Sequence, residues 1–214
     1  METKKPSVRE ISRQRELAVL RAIGLCGYLT TRLIALSVWR ESTEHVARNK
    51  AQLMLVRMEK KGLVLKKAVA SQAMEHVWIL TQRGADDINA QSDERAWARS
   101  GHDLGFTRLQ KDKLVLERGI EKIRASQNET LLLGRAGIRA TLPNEHHDFD
   151  AIFLDLPEDS NPIYTGLIAV VDARPSLVER VVRVKKKMSG VSIEYVGDEQ
   201  MISMLLKRVE QAML

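Results

Sequence analysis

Residues 53–65, LMLVRMEKKGLVL, and residues 77–84, VWILTQRG, carry the reading on which the fold turns. The first string ends one helix and starts a strand. Ala47, Ala51, Met54, Leu55 and Met58 fall at i, i+4, i+7, i+8 and i+11, a single apolar stripe on a helix from about Glu44 to Lys61. Gly62 is a favourable residue just past such a helix. The period then changes. Leu63–Val69 and Glu75–Leu80 read as two strands, with Ala70-Ser71-Gln72-Ala73 as the turn of a hairpin. Thr81 is placed to cap a further short helix reaching about Ala90. Working backwards, Leu17, Leu20, Ala22, Ile23 and Leu25 give helical spacing between Ile11 and Leu25, and Thr30 or Thr31 caps a short helix to Trp39.

Three helices, a hairpin and one more helix is the order of a winged helix-turn-helix. The quoted strings resemble the pattern of winged-helix regulators, "L..L...G.V......Y.LT..G", over about residues 12–90. On the side of the third helix away from its apolar stripe, His45, Arg48, Asn49 and Gln52 lie at i, i+3, i+4 and i+7. Arg pairs with the acceptors of guanine, and Asn and Gln pair bidentately with adenine, so this stripe suits base edges in a major groove. A solvated face on an ordinary amphipathic helix has the same appearance. The hairpin weighs against that reading, because Lys66 and Lys67 in its first strand, with Lys60 and Lys61 just before, add positive charge suited to phosphates. The expected DNA-binding residues are therefore His45, Arg48, Asn49, Gln52, Lys60, Lys61, Lys66 and Lys67.

Charge is divided unevenly along the 214 residues. Residues 1–90 hold 16 Lys/Arg against 9 Asp/Glu, net +7, whereas residues 91–214 hold 18 against 19, net −1. An excess of this size in one region fits a polyanionic partner. With 44% hydrophobic residues and only 4% aromatic ones, the core must be aliphatic. No apolar run approaches the length of a membrane helix, and the start, Met1-Glu-Thr-Lys-Lys-Pro6, lacks the apolar centre of a signal peptide. The lone Cys26 excludes an internal disulfide and reads as a small buried residue.

The second half mixes helix and strand. A helix is expected over 102–123, strands over 130–133, 149–156 and 163–171, a basic helix over 176–188, a strand over 192–196 and a last helix over 199–212 capped by Gly197-Asp198. Asp150 lies in one expected strand and Asp172-Ala173-Arg174 ends the next, the layout of carboxylates in restriction-endonuclease-like metal sites. There the second carboxylate is followed two positions later by Lys. Here Asp172-Ala173-Arg174 supplies Arg, which stays protonated and is a poor base, and Pro175 follows. His146-His147-Asp148 reads as solvated loop rather than as ligands, because adjacent histidines in a strand face opposite ways.

The order of a winged helix, "HDLGFTRL" at 102–109, "FDAIFLDL" at 149–156 and "YTGLIAVVDAR" at 164–174 is similar to the replication-relaxation family of plasmids and mobile elements. That resemblance implies a winged helix joined to a degenerate nuclease-like domain. The expected chain is thus α+β: a disordered N-terminus over 1–10, a winged helix-turn-helix over 11–90, a connection over 91–101, and a small restriction-endonuclease-like α/β domain over 102–214 for dimerisation or partner binding. The expected function is sequence-specific binding of double-stranded DNA, as a transcription regulator or an accessory factor in plasmid replication or transfer. The expectation is a cytoplasmic homodimer, with replication or transfer proteins as further partners, no membrane, no cofactor, no metal and no catalysis. Two alternatives stand beside it: a metal-dependent nuclease targeted by its winged helix, and a protein-interaction adaptor.

Overall fold

Ser7 fixes where the first helix begins. Its hydroxyl accepts from the Glu10 amide while the Glu10 carboxylate accepts from the Ser7 amide, a reciprocal cap on α1 (Val8–Cys26). Helix thus starts three residues before the ordered region expected at residue 11, correcting the disordered start for residues 8–10. The computed structural model describes residues 7–68, 76–91, 106–158, 161–188 and 190–214. The expected hairpin turn at 70–73, the connection over 92–101 and the segment 102–105 lie outside the described residues. The chain is α+β and divides into two units, Met1–Asp103 and Leu104–Leu214.

In the first unit α1 is followed by β1 (Leu29–Thr30), α2 (Thr31–Val38), α3 (Glu44–Lys60), β2 (Val64–Ala68), β3 (His76–Leu80) and α4 (Gln82–Asn89). The strands form one antiparallel sheet in the order β1-β3-β2, with Val64 opposite Leu80 and Ala68 opposite His76. Central β3 is buried on both faces from Val77 to Leu80, whereas β2 forms an edge. Val19, Leu20 and Ile23 of α1, Ile34 and Ala35 of α2, and Ala47, Ala51, Leu55 and Met58 of α3 are wholly buried. Each large aliphatic side chain so buried contributes about 1.5–3 kcal/mol, which is what an aromatic-poor core relies on. Thr30 caps α2 and Thr81 caps α4. Gly84 is required in α4, because a Cβ there would collide with the Leu63 carbonyl oxygen.

In the second unit α5 (Phe106–Ala125), β4 (Glu129–Gly134), α6 (Arg135–Thr141), a 3₁₀ turn (Asn144–Asp148), β5 (Ala151–Leu156), β6 (Ile163–Val170), α7 (Pro175–Lys187), β7 (Ser192–Gly197) and α8 (Glu199–Met213) follow one another. The sheet order is β4-β5-β6-β7, antiparallel except for the parallel pair β6 and β7. Residues Thr165–Val170 of β6 are buried, as a near-continuous apolar run requires between helical layers. Gly166 lets the Phe149 ring lie against β6, a space that any Cβ would fill. Pro175 occupies the first turn of α7, where a missing amide costs nothing. The His146-His147-Asp148 run is a half-buried 3₁₀ turn rather than a solvated loop, with His147 Nε2 3.2 Å from the Leu142 carbonyl.

Candidate nucleic-acid interface

The buried seam of α3 determines what its opposite face presents. Ala47, Ala51, Leu55 and Met58 lie against the core with no exposure, and two alanines among them let the helix sit close. His45, Arg48, Asn49 and Gln52 are all exposed on the other side. Asn49 Nδ2 and His45 Nε2 are 3.2 Å apart, one turn from each other, which steadies both side chains without burying either. Arg32 of α2 binds Glu44 at 2.8 Å at the start of α3, and Lys50 donates to Ser42 at 3.3 Å. These contacts tie α3 to the preceding helix and turn, leaving the four polar side chains open to a ligand.

The same face carries more than polar groups. Val46, Leu53 and Val56 are 43%, 62% and 37% exposed, and at about 100° per residue they flank Asn49. An aliphatic edge beside hydrogen-bonding groups suits thymine methyls as well as it suits a protein surface.

Among the expected phosphate contacts, Lys60 and Lys66 are exposed and Lys67 half-buried. Lys66 and Lys67 pair with Trp78 and Val77 in the ladder and so project to opposite faces of the sheet. Lys61 differs: its ammonium lies 2.6 Å from Glu16 of α1, a carboxylate that also holds Arg13. Arg13 in turn grips Asp87 of α4 with two bonds from Nη2. Lys61 is therefore part of a network joining α1, α4 and the end of α3, and its charge is offset locally.

The carboxylates of the second unit occupy quite different surroundings. Asp150, immediately before β5, has a side chain with no exposure. Its Oδ2 accepts from the Ala169 amide at 2.8 Å and from Arg180 Nη2 at 2.9 Å, and its Oδ1 accepts from Arg180 Nη1 at 3.1 Å and from Arg135. Arg135 also lies 3.5 Å from buried Asp112. Burial would raise the Asp150 pKa, but the charge and hydrogen bonds of Arg180, then Arg135 and the Ala169 amide, outweigh it and hold the carboxyl below its ordinary range. Beside it, Asp148 is held low chiefly by its hydrogen bonds to Arg183, at 2.7 and 2.8 Å. Asp172 pairs instead with Arg174, at 3.2 Å and on the surface. Arg174 thus serves Asp172, while Arg180 serves Asp150.

This arrangement does not fit a metal-binding carboxylate pair. Both Asp150 oxygens are already taken by cations, and the β6 residues beside it, Leu167, Ile168 and Ala169, are buried and apolar. Among the described residues no group of three His, Cys, Asp or Glu is placed to hold an ion.

No family model, curated protein or solved structure matches the chain.

Two features of these sites escape sequence reading in part. Arg135 opens a helix that periodicity does not reveal, because α6 is only seven residues long. Arg180 carries a legible signal: it lies three residues after Leu177 and four before Val184, on the border of the buried stripe of α7. The same angular count places Val46, Leu53 and Val56 beside Asn49, so the aliphatic edge of α3 was open to detection as well.

Proposed function

We propose that the chain is a sequence-specific double-stranded DNA-binding protein whose first unit is a winged helix-turn-helix with α3 as its reading helix. The observation that carries this is the exposure of His45, Arg48, Asn49 and Gln52 on one side of a helix whose other side is wholly buried. The helix–strand–helix–helix–strand–strand order and the three-stranded sheet support the winged-helix reading. The charge division supports DNA as partner. In the second unit, the helix, three antiparallel strands, crossover helix and parallel strand support a restriction-endonuclease-like ancestry, with Asp150 converted from ligand to structural anion. On this reading the protein acts without catalysis, as a cytoplasmic regulator or an accessory factor of plasmid replication or transfer. A dimer would double the site read by one helix.

The test is selection of bound sequences from a random duplex pool, followed by direct binding to the enriched site. Enrichment of a defined motif is expected; recovery of the starting distribution overturns the reading. A second reading, a protein-interaction adaptor, is favoured by the exposed Val46, Leu53 and Val56. It requires partner binding that is insensitive to salt and is lost on Leu53→Ser.

A further inference from the structure

We propose that the C-terminal turn of α7 is a second DNA-contact surface, one that grips the phosphates of a duplex without reading bases. The proposal rests on the reading of the chain as a DNA-binding protein but concerns the unit to which that reading gives no DNA contact. Leu177, Val178, Val181 and Val184 bury one side of α7. Its exposed end carries Arg183, Lys185, Lys186 and Lys187, four of the eighteen Lys/Arg of residues 91–214 within five positions, in a region of net charge −1. Arg183 is occupied by Asp148, and Lys187 lies close enough to Asp148 to help hold it ionised. Lys185 and Lys186 have no carboxylate partner among the described residues.

Packing within the unit uses Arg183 and Lys187 but asks for neither Lys185 nor Lys186. All three lysines lie in the last turn, where the helix dipole favours a cation only weakly, while crowded like charges repel one another. A polyanion removes that repulsion. Consecutive residues project about 100° apart around a helix, so Lys185, Lys186 and Lys187 fan out towards separate phosphates instead of converging on one compact anion. A lipid surface fits less well, because an interfacial helix needs a free apolar face and that of α7 is buried within its own unit.

The experiment uses the full chain and two fluorescent duplexes, one carrying the selected site and one of scrambled sequence, titrated across a range of salt. Lys185→Gln/Lys186→Gln is expected to weaken both duplexes by roughly tenfold and to lower the salt slope by about two, leaving the preference between them intact. Lys185→Arg/Lys186→Arg should bind as the wild type does. Thermal unfolding of the Gln variant should match the wild type, since both lysines are exposed. Unchanged affinity and slope in the Gln variant overturn the proposal while leaving the role of α3 standing. Loss of binding in the Gln variant with no effect of Asn49→Ala on preference supports α7 and overturns α3. A wild type that binds neither duplex overturns both, and its retention on phosphatidylserine vesicles would then assign the lysines to a lipid surface.

Discussion

Asp150 shows how one residue type serves opposite ends depending on what surrounds it. A carboxylate that faces two guanidinium groups and a backbone amide in the interior is an anchor, because Arg180 and the Ala169 amide would lose their partner without it and Arg135 would be left with Asp112. Asp150→Ala is expected to destabilise the protein by about 3–5 kcal/mol in urea unfolding, the cost of leaving buried charge uncompensated. Its pH dependence has a definite sign. The folded pKa lies below the unfolded value of about 3.9, so the stabilisation is fully present above that value and is lost as pH falls through the folded pKa. Acid unfolding followed by circular dichroism should therefore lose part of its low-pH limb in Asp150→Asn. At the other unit, Arg48→Ala and Asn49→Ala should each cost about 1–3 kcal/mol on the selected site with little change on random duplex. Equal losses on both would reduce these residues to phosphate contacts.

Among the elements, β2 and its lysines are the least protected and the easiest to test. Replacing Lys66 and Lys67 with Ala should weaken all duplexes alike and reduce the salt slope by about one to two. Because the two side chains leave opposite faces of an edge strand, single variants should differ, and the larger effect identifies the face turned to DNA. Gly84→Ala should destabilise the first unit, since α4 cannot move off the Leu63 carbonyl without opening its own cap at Thr81, which bonds Gly62 and Leu63 as well. Much of this was legible. The spacing of Ala47, Ala51, Leu55 and Met58 marks the buried side of α3, and Thr81 and Asp198 announce the helices that they cap. The early start of α1 was written in Ser7 and Glu10, yet the polar composition around them conceals it. The anchoring of Asp150 was not legible, because Arg135 and Arg180 meet it from 15 and 30 positions away and no local pattern records such a meeting. Lys61 belongs to the same class: its partner Glu16 is 45 positions distant.

For the whole molecule the decisive assay is one of chemistry. Supercoiled and linear DNA carrying the selected site should remain uncut in Mg²⁺ or Mn²⁺ with wild type and with Asp172→Ala alike. Cutting by the wild type that vanishes in the variant would establish the nuclease alternative. The sheet of the second unit also has a consequence for how the chain assembles. Strands β4, β5 and β6 pair with their antiparallel neighbours in sequence order, whereas β7 joins β6 in parallel only after α7 has been laid across. Closing that crossover delays the pairing, and β7 then sits at the rim with every residue from Ile193 to Val196 half-buried. Native-state hydrogen exchange should find β7 opening well before β5, leaving a late-zipping margin whose exposed amides are the first place where a crowded or nascent chain pairs wrongly with its neighbour.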